Sequence, residues 1–179
     1  MRRPSRRKKI SDNTQVSTPD EIRRRIFQRA VKLLAAKARS IAELRERLLE
    51  GRGADDEVVE TVISRLREYG YLDDEHFAVS YASLRVKQRP IGRRRLERDL
   101  TMKKIDRSVA EEALEKVYAE TPEEDLINRA IEKRIRLRGR PTNRVEAKSL
   151  FDHLLRQGFA FELVSEKVRA VAKVDLSEE

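Results

Sequence analysis

The sequence predicts an all-α fold, a tandem array of three three-helix modules that forms an elongated, curved body. Three observations predict it. Apolar residues follow a helical period, and no segment alternates convincingly as a strand would. The same apolar spacing recurs about every 50 residues, as in helical repeat proteins. The 179 residues include only 6 Gly and 5 Pro, too few for the many tight turns of a sandwich or barrel.

Helix start signals occur at several points along the chain. Thr18-Pro19-Asp20-Glu21 combines an N-cap threonine, a proline in the first turn and the glutamate of a capping box. Thr121-Pro122-Glu123-Glu124 repeats this pattern. Two further capping boxes pair Ser40 with Glu43 and Asn143 with Glu146. Each signal precedes an amphipathic stretch, so each predicts the beginning of a helix.

Glycines and prolines mark the ends of these stretches. Gly70, Gly139 and Gly158 each follow an apolar-periodic segment, as a residue after a helix C-cap does. Pro90 and Pro141 separate neighbouring helices. The signals together predict nine helices, near residues 19–38, 40–50, 55–69, 73–88, 91–103, 106–119, 122–138, 143–157 and 160–173.

The nine helices fall into three groups because one apolar pattern occurs three times. The three sets are Leu44, Leu48, Ala54, Val58, Val62, Ile63 and Leu66; Leu96, Leu100, Ile105, Val109, Ala113, Leu114 and Val117; and Leu150, Leu154, Phe159, Leu163, Lys167, Val168 and Val171. An amphipathic helix precedes each set, with apolar residues Ala30, Val31 and Leu34; Phe77, Ala78 and Tyr81; and Ala130, Ile131 and Ile135. We therefore predict module 1 over 18–72, module 2 over 73–120 and module 3 over 121–175.

The net charge of +9 is concentrated in two places. Residues 1–17 are basic and almost without apolar residues, which predicts a disordered basic tail. Residues 85–107 contain ten basic and three acidic residues. A local positive field favours a polyanionic partner. The candidate binding residues, for a protein filament or DNA phosphates, are Arg85, Lys87, Arg89, Arg93, Arg94, Arg95, Arg98, Lys103 and Lys104.

The sequence contains no recognisable motif for catalysis or metal binding. No phosphate-binding loop, dinucleotide fingerprint or zinc-protease motif occurs, and the two histidines, His76 and His153, are interpreted as structural or surface residues. The acidic clusters 55–57, 73–75 and 123–125 stand where helices begin and are interpreted as caps. The sequence predicts no enzyme, cofactor or metal. Absence of cysteine and of any apolar run near 20 residues favours a cytoplasmic protein that does not enter membranes.

The aromatic residues argue against a dedicated single-strand binder. Base-stacking platforms need aromatic rings among basic residues, and residues 85–107 contain no aromatic residue. Six aromatic residues fall on apolar stripes and are predicted to belong to the core: Phe27, Phe77, Tyr81, Tyr118, Phe151 and Phe159. The pattern favours contact with phosphates or an acidic protein surface through Arg and Lys.

Several separated motifs resemble the RecX family of bacterial recombination regulators. The most distinctive is Tyr69-Gly70-Tyr71-Leu72-Asp73-Asp74. Five further segments agree with the family pattern: Ala42–Leu48, Val58–Ile63, Asp74–Ala78, Ile91–Leu96 and Leu154–Phe159. The resemblance covers about residues 25–172 in the right order. The extra residue in Gly51-Arg52-Gly53 and the basic tail depart from it.

The resemblance implies a function that composition does not. RecX-like proteins bind the RecA recombinase, particularly its filament on single-stranded DNA, and modulate, usually inhibit, its ATPase, strand-exchange and coprotease activities. It implies no catalytic residue, and this chain is expected to act as a monomer. Two other functions stay open: a direct DNA-binding protein with helix-turn-helix-like modules, and a scaffold without a nucleic-acid role. The Arg cluster argues against the scaffold. Within the shared motif, Tyr69, Tyr71 and Leu72 are interpreted as sealing the junction between modules 1 and 2.

Overall fold

The fold consists of three successive groups of three helices. A computed structural model describes residues 18–172, which form nine α-helices and no strand. The helices are α1 (Pro19–Ala36), α2 (Ile41–Leu49), α3 (Asp56–Glu68), α4 (Asp74–Gln88), α5 (Arg93–Met102), α6 (Arg107–Glu120), α7 (Glu123–Arg138), α8 (Arg144–Gln157) and α9 (Phe161–Val171). Packing is most extensive within α1–α3, α4–α6 and α7–α9. The all-α fold of tandem helical modules is confirmed. The predicted tail, residues 1–17, lies outside the described residues.

Most helices begin where the capping signals placed them. Thr18 forms a complete capping box with Glu21, and Ser40 Oγ accepts the Glu43 N–H. Asp55, Asp73 and Asn143 cap α3, α4 and α8 through their side chains. The acidic clusters at 55–57 and 73–75 therefore begin helices, as predicted, and all three residues of 123–125 lie in the first turn of α7.

The box predicted at Thr121 is wrong. Helix α7 begins one residue later, with Pro122 as the N-cap and no side-chain cap. The reason is that the carboxylates of both glutamates bind residues outside α7. Glu123 Oε1 accepts the Arg93 N–H of module 2 at 2.8 Å, and Glu124 Oε1 accepts from Lys167 Nζ of α9 at 2.5 Å. Long-range partners have replaced the local one.

The buried residues form two cores for three modules. One core contains nine buried residues between Ile26 and Leu72, all from module 1. The other runs without a break through modules 2 and 3, from Ala78 to Val168. The equivalent repeat residues Ile63, Leu114 and Val168 are each 1% exposed, as the repeat predicts. The module boundaries themselves stay a prediction.

Polar contacts connect module 1 to module 2. The buried Ser40 hydroxyl donates to the Lys103 carbonyl at 2.5 Å, and the Ile41 N–H donates to Asp74 Oδ1 at 2.9 Å. Lys103 Nζ contacts Glu43 Oε1 at 2.7 Å. These bonds join the first turn of α2 to the ends of two helices of module 2.

Replacing Asp74 with alanine should lower the free energy of unfolding by about 1–2 kcal/mol, because the Ile41 N–H then loses its acceptor. Asp74→Asn keeps an acceptor and should cost less. Burial raises the pKa of Asp74 above 3.8, so the folded state binds the proton more tightly than the unfolded chain. Wild type should therefore gain stability relative to Asp74→Asn as pH falls through the raised pKa towards 3.8. Urea melts at pH 7 and pH 4 measure both effects, and an unchanged difference would contradict the assignment.

Backbone contacts join module 2 to module 3 at the start of α5. The Gly92 N–H donates to the Gln157 carbonyl at 2.9 Å, and the Arg94 N–H donates to the Gly158 carbonyl at 3.1 Å. An added Cβ on Gly92 would lie 2.2 Å from the Gly158 carbonyl carbon. The chain segments are in contact here only because Gly92 has no side chain.

Candidate interaction surface

Three of the nine predicted binding cations are held in ion pairs. Arg85 Nη2 contacts Asp99 Oδ2 at 2.8 Å, with both side chains mostly buried. Lys103 pairs with Glu43, and Lys104 pairs with Glu46. The lysine pairs cross from module 2 to module 1, so these two cations have a structural role that the sequence analysis did not assign.

Arg93, Arg94 and Arg95 begin α5, which has Gly92 as its N-cap and no side-chain cap. Three cations there oppose the helix dipole, but the Glu123 carboxylate from module 3 accepts the Arg93 N–H and offsets their charge. Arg95 Nη1 donates to the Arg156 carbonyl at 3.2 Å. Because Leu96 and Leu100 define the buried stripe of α5, the sequence predicts that at least two of the three arginines face solvent. Arg94 is exposed, whereas Arg93 and Arg95 are half-buried, because module 3 packs against this turn.

Only three of the nine predicted cations are both exposed and without an ion pair among the described residues. Lys87, Arg94 and Arg98 are exposed, and none of them has an ion pair within residues 18–172. Arg94 and Arg98 are four residues apart, so they share one face of α5. We call these three residues the exposed trio. Arg89 is half-buried, and its buried Nε has no hydrogen-bond partner.

A second group of cations was missed by the sequence analysis. Arg134 and Arg138 lie one turn apart on α7, and Arg156 lies in the last turn of α8. We call them the module 3 arginine cluster. The i, i+4 spacing of the first two was visible in the sequence, and so was the stretch 133–140, which contains five basic residues and no acidic one. Their proximity to Arg156 depends on how α7 packs against α8.

The positive charges of this cluster act on His153. It lies half-buried on α8, and its pKa is lowered from 6.5 by burial and then by Arg134, Arg156 and Arg138. His76 lies near Ser80 at 3.4 Å. Within residues 18–172, no three His, Cys, Asp or Glu side chains are placed to hold a metal ion.

An apolar groove of about 680 Å³ lies between modules 1 and 2. Its apolar lining includes Phe27, Val31, Leu34, Tyr69, Tyr71 and Phe77. Leu72 is buried in the core of module 1. The interpretation that the shared motif seals this junction is wrong for Tyr69 and Tyr71, which are 54% and 65% exposed. Val31 is likewise exposed, not in the core, because only two positions of α1, Ile26 and Ala30, are covered completely.

The path of the chain explains the exposed tyrosines. Gly70 has a φ of +71°, and this turn directs Leu72 inward. Arg65 lies between the rings of Phe27 and Tyr69, 5.3 Å and 5.4 Å from their centroids, and its Nε donates to the Tyr69 hydroxyl at 3.0 Å. The motif thus leaves an aromatic and cationic surface beside the groove.

The fold defines a protein built of tandem three-helix modules. No helix of the described chain is long and apolar enough to cross a bilayer. Two family models match this chain. "RecX, first three-helix domain" matches residues 27–66, and "RecX, second three-helix domain" matches residues 73–114. The matched segments fall within modules 1 and 2.

Relatives extend the similarity along the chain. "Regulatory protein RecX" of Mycolicibacterium smegmatis is 32% identical over 163 residues, covering 87% of this chain and 86% of the relative. The protein of the same name from Bacillus licheniformis is 30% identical over 139 residues, covering 78% of this chain; the chain spans 52% of that relative's length. The crystal structure of RecX from Lactobacillus salivarius shares the fold, with a TM-score of 0.74 and 18% identity over 85% of this chain and 97% of that one. The chain belongs to the RecX family of regulatory proteins.

Proposed function

We propose that this protein binds the RecA recombinase, and particularly its filament on single-stranded DNA, and inhibits the ATPase, strand-exchange and coprotease activities of that filament. The proposal includes action in the cytoplasm, as a monomer, without a catalytic site or cofactor of its own. Membership of a family of regulatory proteins supports the kind of function. The site that we assign to contact with the RecA filament is the exposed trio.

Only some of the predicted cations are available to a partner. Arg85, Lys103 and Lys104 are bound to carboxylates of the same chain, so exchanging those partners for new ones gains little. Lys87, Arg94 and Arg98 keep their charge in solvent. An acidic surface of RecA, or a phosphate of the DNA that the filament carries, would gain their full attraction. The half-buried Arg89, Arg93 and Arg95 would lie at the edge of that contact.

Replacing Lys87, Arg94 and Arg98 with glutamate should weaken capture of RecA filaments at least tenfold. Each surface charge contact contributes about 1 kcal/mol or less, and about 1.4 kcal/mol corresponds to a factor of ten. Thermal melting should change little, because none of the three has an internal ion pair among the described residues. Filament co-sedimentation and RecA ATPase rates measure the effect.

The control replaces Arg24, Lys32 and Lys116 with glutamate. These cations are also exposed and lie on other helices, so the net charge changes equally. The control should bind filaments nearly as wild type does. If both variants bind filaments equally well, the RecA contact lies elsewhere on the protein. A wild-type protein that neither binds filaments nor changes their ATPase rate would overturn the proposed function.

A further inference from the structure

We propose that the module 3 arginine cluster, Arg134, Arg138 and Arg156, is a second binding site that holds the phosphate backbone of a nucleic acid strand. The site goes beyond the proposed function, because it lies in module 3 and would bind bare nucleic acid without RecA. It also lies outside residues 27–66 and 73–114, which the family models match.

The first support is the lack of compensating acid. Nine other cations of the described chain form ion pairs. Arg134, Arg138 and Arg156 form none, and neither do the neighbouring Arg89 and Lys133 within residues 18–172. Arg134 Nη2 donates instead to the neutral Ser149 hydroxyl at 3.3 Å. Like charges held together raise the free energy of the folded protein unless an anion binds them.

The second support is the shape of the surface. A hollow of about 290 Å³ brings Arg89 at the end of α4 together with Lys133, Arg134 and His153. A second hollow, of about 410 Å³, continues past Arg134 to Arg138. The two hollows meet at Arg134, which lines both, and together form an open track along α7. Arg156 lines neither hollow; it lies three residues after His153, on the same face of α8. Glu146 also lines the second hollow, but its carboxylate already accepts the Thr142 N–H and hydroxyl, at 2.8 and 2.9 Å.

The third support is the electrostatic repulsion among the arginines of the cluster. Burial and then the charges of Arg138 and Arg156 lower the pKa of Arg134. The same three arginines lower the pKa of His153. Arg89, Lys133, Arg134 and Gln157 line the same hollow as His153, and Arg138 and Arg156 act on it through their charge. The net field at this place is positive.

A phosphate strand fits this track better than an acidic protein surface does. The planar guanidinium forms two parallel hydrogen bonds with a phosphate. Arg134 and Arg138 repeat at one helical turn, about 6 Å, and a strand offers regularly spaced charges along its length. An acidic protein must place carboxylates at matching positions on its own fold, whereas a strand presents a phosphate at every nucleotide and can meet the arginines in any register. The occupant we infer is therefore a single strand of DNA or RNA, bound without base readout.

The test measures binding of a fluorescein-labelled 20-nucleotide oligothymidine to the full chain by anisotropy over a salt series. Replacing Arg134, Arg138 and Arg156 with glutamine should weaken binding at least tenfold at low salt. The slope of log K against log salt should fall in magnitude by about 2, since each phosphate contact on a single strand contributes about 0.7. Arg24, Lys32 and Lys116 changed to glutamine, with the same loss of charge, should alter affinity and slope much less.

Lysine at the same three positions keeps the charge and should retain most of the salt slope. Unchanged affinity and slope in the glutamine variant would overturn the inference, and so would an equal loss in the control. If the glutamine variant still binds the oligonucleotide but no longer captures RecA filaments, the inference is also overturned, and the cluster is assigned to an acidic protein partner. The mixture of protein and oligonucleotide contains no RecA, so failure here is distinct from failure of the proposed function.

A second measurement needs no variant and so does not depend on one folding. The chain has two histidines, which NMR can follow separately. A strand seated on the cluster cancels the charges that lower the pKa of His153, so saturating oligothymidine should raise that pKa towards or above 6.5. The His76 resonance, on α4, reports changes elsewhere. A His153 titration that the oligonucleotide leaves unchanged would contradict the site.

Discussion

Replacing Leu114 with aspartate should unfold modules 2 and 3 together and leave module 1 folded. Leu114 is 1% exposed and lies in the core that modules 2 and 3 share. A buried carboxylate without a partner costs several kcal/mol, a large part of the roughly 5–15 kcal/mol that stabilises a domain. The residues of module 1 form a separate core, so they keep their packing.

Circular dichroism and two-dimensional NMR measure this outcome. The amide resonances of residues 73–172 should lose dispersion, and those of module 1 should keep it. Lys116→Asp introduces a carboxylate two residues further along α6 at an exposed position and should melt like wild type. Wild-type melting of Leu114→Asp would show that the repeat register is wrong. Loss of the module 1 resonances as well would show that the two cores unfold as one.

Gly92→Ala should separate α5 from the end of α8, at a cost on the order of 3 kcal/mol or more. The new Cβ would lie 2.2 Å from both the Gly158 carbonyl carbon and the Phe159 nitrogen. Both are backbone atoms, so no side-chain rotation relieves the overlap. The hydrogen bonds from Gly92 to Gln157 and from Arg94 to Gly158 would break as the segments move apart.

Gly70→Ala separates this steric cost from the cost of backbone conformation. Gly92 has an ordinary φ of −81°, so its whole effect comes from the overlap. Gly70 has a φ of +71° and no atom within 4 Å of an added Cβ, so its variant should lose only about 1–2 kcal/mol. Urea unfolding of both variants makes the comparison. A Gly92→Ala protein as stable as Gly70→Ala would contradict the close contact.

Local signals were sufficient to predict the helices. The Thr18 box and the Asp55 and Asp73 caps act within three residues of chain, and the apolar stripe containing Leu96 and Leu100 follows from helix geometry alone. For this reason the nine observed helices lie within a few residues of the predicted ranges. The sequence also predicted the repeat, because equivalent positions such as Ile63 and Val168 require the same apolar character.

The availability of the cations could not be predicted in the same way. Lys103 binds Glu43, 60 residues earlier, and Lys104 binds Glu46, 58 residues earlier. Such pairs depend on how one module packs on the next, which the spacing of residues within a helix does not determine. The same reason accounts for the missing box at Thr121, since Glu124 binds Lys167. Arg156 could not be grouped with Arg134 and Arg138 from the sequence, because it lies on a different helix.

The two junctions give the molecule one compliant joint and one stiff joint. A shared apolar core holds modules 2 and 3 together, and bending there would expose it to water. Modules 1 and 2 share no apolar core among the described residues. They are joined through Ser40, Ile41 and the Glu43–Lys103 pair, and water can satisfy these polar groups once the joint opens. Bending is therefore expected at that joint alone. On the filament proposed as its partner, such a molecule would follow a change of pitch by adjusting one angle, with modules 2 and 3 moving as a single arm.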